Sequence, residues 1–490
     1  MKRILYIPFD HLHRNFGVLK EADPDHDLIA FVESARMTTG RPWHPLRLHF
    51  LISSARHFAA SLGGEGFSVE YIKAPTTIDG LKTIQGKYGQ LPIFSAEPSS
   101  FKQSQALSEF GVTFIANDFF LTPRELFSQW AGKQKTFVME NFYRAQRIRL
   151  GVLVEGGEPI GGEWNFDKEN RLPPPKNYIW PDYLEFAPDA IDREVATELG
   201  IEAPHYWATS REGALVALKN FIEKHFAEFG PYEDAMPSDN WALHHSLLSP
   251  YINNGLLHPS EVVEAAITAF RSGGIPIASC EGFIRQVIGW REYVNGMYWF
   301  LGDGYRKNNQ LAATRALLPL FHDPTKTSMN CVKSIVGDIK ERAWVHHIPR
   351  LMVLSNLALI TGSNPQEFLN WMREQFVDAS EWVMVPNVIG MGLHADGGRM
   401  MTKPYAAGGA YISRMSTYCK SCAYNPKLRV GENACPFTTL YWDFLDRHRD
   451  EFVKNHRMSQ QVFGLKRLTD LPELKERAQD VLEGLSKGEI

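Results

Sequence analysis

Four cysteines in the second half of the chain have a spacing that could hold a metal. Cys419 and Cys422 form a Cys-x-x-Cys pair, Cys435 follows and precedes a proline, and Cys331 lies 88 residues before the pair. Four thiolates suit either zinc or an iron–sulfur cluster. The scattered third and fourth thiols favour a cluster, because zinc knobs usually use two tight pairs. The alternative is that some of these cysteines are buried small apolar residues, as we expect for Cys280.

His346 and His347 form a second group with chemical capacity. Adjacent side chains on a helix point about 100° apart, so these two rings cannot easily bind one metal. We expect one ring to face a pocket and the other to support it. Imidazole titrates near neutral pH and can donate a proton, although a purely structural pair is the alternative. Tryptophans in the same half could serve a redox path or simply a packed core: Trp290, Trp299, Trp344, Trp371, Trp382 and Trp442.

Residues 399–429 combine basic and aromatic side chains and contain no Asp or Glu. Basic groups neutralise phosphates and aromatic rings stack on bases, which predicts a local nucleic-acid groove. A solvated surface is the alternative. The net charge of −4 argues against binding polyanions over the whole surface. The residues concerned are Arg399, Lys403, Arg414, Lys420, Lys427 and Arg429, with Tyr405, Tyr411, Tyr418 and Tyr424.

Short apolar runs near the N-terminus predict β-strands separated by helices, one of which spans His44 to Leu62. This alternation is typical of a parallel sheet covered by helices. Neither a Gly-x-Gly-x-x-Gly motif after the first strand nor a P-loop occurs, which excludes the usual dinucleotide and ATP sites. The predicted strands are Arg3 to Phe9, Asp27 to Glu33, Phe67 to Ile72, Pro92 to Ala96 and Val112 to Ala116.

The rest of the chain divides into two regions. Gly- and Pro-rich residues 133–228 predict an ordered connector, because Trp164 to Arg171 is too aromatic for a free linker. Helical periodicity dominates after Trp241. We therefore predict an α/β, Rossmann-like domain over 1–132, the connector, and a large all-α domain over 229–490. We see no signal peptide and no long apolar run, so we expect a cytoplasmic protein that uses no membrane.

Several long motifs in the same order resemble the photolyase and cryptochrome superfamily, and together they are similar to its iron–sulfur bacterial branch, the prokaryotic (6-4) photolyases. The resemblance covers nearly the whole chain. The motifs are Trp164 to Arg171, Leu248 to Gly255, Glu281 to Tyr293, His346 to Met352, Pro386 to Met391, Lys403 to Tyr405 and the four cysteines.

The resemblance implies a large all-α C-terminal domain that binds FAD, a 4Fe-4S cluster, and an antenna chromophore such as 6,7-dimethyl-8-ribityllumazine. It implies His346 and His347 as the catalytic pair and Trp371 as an electron carrier. The implied FAD contacts are Ser246, Ser249, Tyr251, Gln286, Trp290 and Glu292. The implied antenna contacts are Asp10 and Glu33. The cluster ligands are Cys331, Cys419, Cys422 and Cys435. The DNA and lesion contacts are Met391, Lys403, Tyr405, Tyr411 and Arg414.

The implied activity is light-dependent reversal of (6-4) photoproducts in UV-damaged DNA by a bacterial, monomeric enzyme. A photolyase must flip the damaged dinucleotide out of the duplex, which gives the basic, tyrosine-rich segment a purpose. A blue-light photoreceptor of the same family and a zinc-stapled DNA-binding protein are the alternatives. The chain departs from the family's usual residues at Met384 near the flavin ring, and at Asp323 and Met372 along the expected electron path.

Overall fold

The computed structural model describes residues 1–490. The N-terminal part contains five parallel strands in the spatial order β3-β2-β1-β4-β5. All five predicted strands are confirmed, with ends that differ from the prediction by at most three residues. The strands are β1 (Arg3–Tyr6), β2 (Asp27–Ser34), β3 (Ser68–Ala74), β4 (Ile93–Ala96) and β5 (Thr113–Ile115).

Helices cover both faces of this sheet. Every residue of β2 is buried, as expected for a central strand of a parallel sheet. The helix predicted from His44 to Leu62 is confirmed and spans Pro45–Gly64. It begins at Pro45, where the missing N–H of proline costs no hydrogen bond, and the His44 ring accepts a hydrogen bond from the Leu46 amide. The helices of this part are Ala35–Thr38, Pro45–Gly64, Thr77–Tyr88, Phe101–Phe110 and Arg124–Ala131, with a 3₁₀ turn at Gly17–Leu19.

The strand order reverses between β1 and β4, which are neighbours in the sheet. From β1 the chain proceeds to β2 and β3 on one side, and then to β4 and β5 on the other side. In open parallel sheets such a switch point leaves a crevice outside the carboxyl ends of the strands, where ligands usually bind. Here the loops after β1 and β4 carry Asp10, Ser99 and Ser100 to this crevice.

Residues 133–228 are more helical than their composition predicts. The longest stretch without helix or strand is 170–189, and it follows a well-packed turn in which Arg144 and Arg147 lie about 5 Å from the Trp164 ring. The division at 132 and 228 stays a prediction. The elements are helices Met139–Leu150, Ala190–Leu199, Arg211–Asn220, Phe221–His225 and Phe226–Phe229, a hairpin of Val154–Glu155 and Glu158–Pro159, and a 3₁₀ turn at Asp167–Glu169.

The remainder is all-helical. Its longer helices are Ser249–Asn254, Pro259–Arg271, Ile277–Ile284, Arg285–Arg291, Glu292–Leu301, Asn330–Arg342, Pro349–Ser355, Asn356–Thr361, Pro365–Gln375, Glu381–Val385, Pro386–Gly392, Gly409–Met415, Pro436–Arg447, Arg449–Phe452, Ser459–Gly464 and Leu471–Lys487. Short 3₁₀ turns lie at Asp303–Lys307, Pro319–Phe321, Pro324–Lys326, Tyr418–Ser421 and Leu465–Arg467. None of the helices is both long enough and apolar enough to span a bilayer.

The sheet and the helical part share one apolar core, in which Leu5 and Ile29 belong to the same cluster as Leu485. Gly255 shows how closely the two parts approach. Its φ is +88°, and an added Cβ would lie 2.7 Å from the Leu12 amide, which donates to the Asn254 carbonyl at 2.9 Å. This close packing places the helical part directly over the carboxyl edge of the sheet.

Candidate active site and metal centre

The four predicted metal ligands converge on one small pocket. Cys331 lies in the first turn of helix Asn330–Arg342, and Cys435 caps helix Pro436–Arg447. Cys419 lies within the 3₁₀ turn Tyr418–Ser421, and Cys422 follows it. None of them forms a disulfide. Apolar residues complete the lining: Met329, Gly409, Ile412, Tyr418, Tyr424 and Phe437.

The thiols are crowded but not closely packed against one another. Burial and the other three thiols raise the pKa of Cys331, and burial raises the pKa of Cys435 to about 11 even though the amides of Thr438 and Phe437 favour its thiolate. No three of the four sulfur atoms all lie within 4.8 Å of one another. Thiols with raised pKa values are protonated at neutral pH, and a bound metal would displace their protons.

The two histidines have different surroundings, as helical spacing predicts. The His346 ring is buried and stacks on His245, with centroids 4.2 Å apart and planes inclined by 25°. The His347 ring is exposed to solvent although protein atoms surround it, which places it in the wall of a cleft. Burial in this cleft and the nearby Arg350 guanidinium lower the pKa of His347 to about 4.

An apolar wall lies beside the histidine pair. Leu351, Met352 and Met391 form a buried cluster on which Tyr405 and Tyr411 pack. Trp290 and Ile348 join the same cluster, so the residue that follows His347 links the wall to the histidines. The structure therefore brings together Trp290, Met391, Tyr405 and Tyr411, which lie far apart in the sequence.

Charged residues lie near Tyr405, among them Arg171, Arg457 and Asp234. The positive charges of Arg171 and Arg457 lower the pKa of Lys403, after burial as the main cause. Burial raises the pKa of Glu233 to about 8, in spite of the Arg285 guanidinium, which lies 3.8 Å from its carboxylate and 3.1 Å from that of Asp167. Sequence reasoning missed Glu233 and His245, and only the position of Arg285 within the Glu281 to Tyr293 motif could have indicated this network.

The chain is 40% identical over 484 residues to the (6-4) photolyase of Agrobacterium fabrum, covering 94% of both chains. Residues 5–211 match the family described as "Deoxyribodipyrimidine photo-lyase-related protein".

The chain belongs to the photolyase-related family. Its fold also matches that of a bacterial class III photolyase from Agrobacterium tumefaciens, with a TM-score of 0.56, 18% identity, and coverage of 99% and 98% of the two chains. A cryptochrome from Synechocystis gives a TM-score of 0.55 at 13% identity, covering 84% of this chain and 88% of the other. The photolyase and cryptochrome architecture predicted from the sequence is confirmed.

A photolyase carries a flavin, and one polar network in the helical part fits such a group. The Ser249 hydroxyl donates to Asp378 at 2.7 Å, and Arg350 donates to both oxygens of the same carboxylate at 2.9 and 3.0 Å. The Trp344 indole donates to the Ser249 hydroxyl at 3.4 Å. Nε2 of His245, whose ring lies 6.3 Å from that of Trp344, is buried without a partner, as expected where a polar ligand completes the site.

Not every predicted flavin contact lies at this network. Ser246 precedes it by one turn and accepts from the Leu248 amide. The Tyr251 hydroxyl is buried and accepts from the Ala208 amide, so it ties the helix to the connector instead. Glu292 is fully buried, and its carboxylate accepts a hydrogen bond from the Thr122 amide at 2.6 Å. It therefore links its helix to the N-terminal α/β part of the chain. The Gln286 amide donates to Gly282 of its own helix.

The cavity at the switch point of the sheet has a volume of about 550 Å³. Asp10 lines it, as predicted, and the helical part closes it with Asn253 and Asp378. Glu33 is not part of this lining: its carboxylate accepts from Tyr71 at 2.8 Å and pairs with Arg56 at 3.1 Å. These two partners hold the Glu33 carboxylate away from this cavity, and its role as an antenna contact stays a prediction.

The basic, tyrosine-rich segment splits between two sites. Tyr405 and Tyr411 face the cleft, whereas Tyr418 and Tyr424 line the thiol pocket and are unavailable to bases. Arg414 is exposed and lies 5.5 Å from the Tyr411 ring. Among the basic side chains of the segment, only Arg429 forms a salt bridge, with Asp470 at 2.8 Å. Half of the tyrosines predicted to stack on bases thus line the thiol pocket instead.

Trp371 is buried, and the rings in contact with it all belong to phenylalanines: Phe321, Phe368 and Phe376. Its indole N–H has no partner. Met372 is buried beside it, and Asp323 is bonded to Thr325 at the chain surface. No tyrosine or tryptophan continues a path from Trp371.

Proposed function

We propose that this protein is a light-dependent DNA repair enzyme that reverses (6-4) pyrimidine–pyrimidone photoproducts. The observation that carries the proposal is the solvent-accessible ring of His347 beside the apolar wall of Met391, Tyr405 and Tyr411. A proton donor beside a base-sized apolar surface is what this reaction needs and what a pure light sensor does not. The 40% identity to a (6-4) photolyase over nearly the whole chain supports the same activity.

The apolar wall would hold the damaged bases after they leave the duplex. Unstacking costs a few kcal/mol, and stacking on aromatic side chains offsets part of that cost. Tyr405 and Tyr411 offer ring faces for this purpose, while Met391 fills the floor of the cleft. Asn356 fixes the wall from behind, because its side chain accepts from the Ala407 amide at 3.1 Å and donates to the Ala407 carbonyl at 2.8 Å.

Positive side chains around the cleft would grip the DNA backbone. Lys403, Arg171 and Arg457 lie close enough that the two arginines lower the pKa of the lysine. Cations held near one another in this way are unfavourable until a polyanion neutralises them. Arg414 extends the same charge along the surface beyond Tyr411. This local charge explains DNA binding by a chain whose net charge is −4.

His347 would supply the proton. In the free protein its low pKa keeps the ring neutral at pH 7. DNA phosphates at the mouth of the cleft would raise that pKa, because nearby negative charge favours imidazolium. His346, buried and stacked on His245, would hold its neighbour in position. Protonation would then be coupled to the binding of the substrate.

The flavin of this family would be FAD, held by Ser249, Asp378 and Arg350. When bound and excited by light, reduced FAD supplies the electron that initiates repair. The protein's own contribution is to fix the site, because Asp378 is held by three hydrogen bonds before any ligand binds. Trp290 is part of the apolar wall and would lie between that wall and the flavin site.

The cysteine centre would be a 4Fe-4S cluster with a structural role. A tetrahedral zinc with Zn–S bonds of about 2.3 Å needs its sulfur atoms about 3.8 Å apart. The absence of any three sulfur atoms within 4.8 Å of one another favours the larger cluster. The cluster would join helix Asn330–Arg342 to helix Pro436–Arg447 and brace helix Gly409–Met415, which carries Tyr411.

The cavity at the switch point would hold the antenna chromophore. Its volume falls in the range of ordinary ligand pockets. A ribityl lumazine fits the mixed lining, since Asp10, Ser99 and Ser100 could bind its hydroxyls while Phe9 and Phe50 face its rings. Two buried donors at this cavity, Nε1 of Trp43 and Nε of Arg47, have no partner in the protein.

The test is repair of an oligonucleotide that carries one (6-4) photoproduct, using protein with reduced flavin, in blue light and in darkness. We expect repair in light only. Repair should be lost in His347→Ala and kept in His26→Ala, a control at a half-exposed histidine before strand β2. A flavin-containing protein that repairs nothing in light would refute the proposal and favour the photoreceptor.

A further inference from the structure

An unbroken series of tryptophan and tyrosine rings leads from the flavin network to the surface. Trp344 contacts Trp241, with ring centroids 5.7 Å apart, and Trp241 contacts Tyr206 at 6.3 Å. Tyr183 lies 4.9 Å from Trp241 and 6.1 Å from Tyr206. We call Trp344, Trp241 and Tyr206 the connector path, because Tyr206 belongs to the connector.

The inner end of the connector path touches the proposed flavin site directly. The Trp344 indole donates to Ser249, and the Arg350 guanidinium that binds Asp378 lies 5.8 Å from the Trp344 ring. Trp344 is itself buried. Any electron that leaves this ring for the flavin must be replaced through the protein.

The outer end is built to release a proton. The Tyr206 hydroxyl donates to the exposed Glu341 carboxylate at 2.9 Å. A tyrosine that loses an electron becomes a strong acid, and a carboxylate in hydrogen-bond contact can accept its proton at once. Burial and Glu341 raise the pKa of Tyr206 to about 12, so the phenol is protonated before it is oxidised.

The charge along the path also suits a positive hole. The Arg342 guanidinium lies 5.3 Å from the Trp241 ring, which would oppose oxidation of that ring. It is bound by Asp338 at 2.6 Å and Glu341 at 2.9 Å, so the three groups together carry one negative charge. Glu185 adds another acidic group beside Tyr183.

Trp371 offers no comparable route. Its ring neighbours are three phenylalanines, which are much harder to oxidise than tyrosine or tryptophan. Transfer rates fall steeply with distance, so a path needs oxidisable rings in sequence. On the path that the family resemblance implies, Trp371 remains, whereas Met372 and Asp323 stand where further aromatic residues were expected.

We propose that Trp344, Trp241 and Tyr206 carry electrons from the surface to the flavin, replacing the route through Trp371; this rests on the proposed function. In light, oxidised FAD takes one electron from Trp344, which takes one from Trp241, which takes one from Tyr206. Tyr206 gives its phenolic proton to Glu341. A thiol reductant restores Tyr206 by giving it one electron and one proton, and Glu341 releases its proton to water. Two such one-electron cycles consume two thiols and form one disulfide. They convert FAD to FADH⁻ with net release of one proton.

The experiment follows the flavin absorbance of the purified, FAD-containing protein under blue light with excess thiol. In Trp344→Phe and Trp241→Phe we expect photoreduction to slow by about tenfold or more, which corresponds to a barrier increase of about 1.4 kcal/mol. Trp371→Phe is the matched control and should photoreduce at the unmodified rate. Tyr206→Phe keeps the ring but should abolish the tyrosyl radical seen by time-resolved magnetic resonance, whereas Tyr183→Phe should retain it.

Unchanged photoreduction in both Trp344→Phe and Trp241→Phe, or its loss in Trp371→Phe, would overturn the path. If Trp344→Phe does not retain FAD, Trp241→Phe and Tyr206→Phe decide the question, since neither residue touches Ser249. Chemically reduced protein separates the two proposals. It should repair DNA equally well with or without Trp241, whereas failure of the unmodified, chemically reduced protein to repair would refute the function and leave the path to its own test.

Discussion

Replacing Gly409 by alanine should loosen the metal centre. An ideal Cβ at this position lies 2.8 Å from Sγ of Cys435, 3.0 Å from Oγ1 of Thr438 and 3.1 Å from Cβ of Pro426. An ordinary contact of at least 3.4 Å requires the sulfur to move by about 0.6 Å, the difference between 3.4 and 2.8. Cys435 is a helix cap and a proposed ligand, so it could not move without straining the proposed centre.

The cost can be estimated from general values. Overpacking of this kind costs about 1–3 kcal/mol, and alanine regains up to about 1 kcal/mol over glycine in a helix. We expect a net loss of about 1–2 kcal/mol, concentrated at one ligand. Because the free energy of metal binding is also free energy of folding, this corresponds to roughly tenfold faster loss of metal to a chelator.

The assay measures iron and sulfide per chain, then the bleaching of visible absorbance with time after adding a chelator. Gly337→Ala is the matched control, because Gly337 lies in the helix that carries Cys331 and an added Cβ meets nothing within 4 Å. We expect the control to gain about 0.5–1 kcal/mol in stability and to lose metal at the unmodified rate. Equal rates in Gly409→Ala and the unmodified protein would refute the packing argument.

Three further predictions concern the cleft and the fold. His347→Ala should lower repair by about 100-fold or more at unchanged flavin content, as expected on losing a general acid; repair above a tenth of normal would contradict the proton-transfer role. Asp378→Asn should lower the free energy of unfolding by about 3 kcal/mol and reduce flavin content, because it leaves Arg350 with a weaker partner. The control Glu483→Gln, at an exposed ion pair, should leave the urea midpoint unchanged. Burial lowers the pKa values of His244 and His258 to about 4 in the folded protein. The unfolded chain therefore binds more protons below pH 6.5, so stability should fall between pH 6.5 and 4 by on the order of 1 kcal/mol per histidine; a constant urea midpoint over this range would contradict it.

Local sequence determined the elements of the front domain. The five strands were predictable because parallel strands buried on both faces need continuous apolar runs, and β2 is buried at every position. His44 and Pro45 likewise mark the start of their helix, since capping depends on neighbouring residues alone. The helical content of residues 133–228 exceeds the prediction, because most of the glycines and prolines in this region lie between its helices.

For the site, the sequence identified residue types whose chemistry is specific. Cys-x-x-Cys and a histidine pair are short-range signals, and the structure brings the thiols into one pocket and gives the two histidines different surroundings. The roles of Glu33 and Glu292 depended instead on partners distant in the chain. Arg56 holds the first carboxylate and Thr122 binds the second, and neither contact leaves a local signature.

By itself, then, the sequence determined the elements, the candidate ligands and the family resemblance, because periodicity, caps and short motifs are local. Only the tertiary structure decided which tyrosines face the cleft and which face the thiols, and it alone placed Glu233 beside Arg285 and continued Trp344 through Trp241 to Tyr206. The physical reason is that burial, electrostatics and ring contact depend on distances between residues that chain order does not encode.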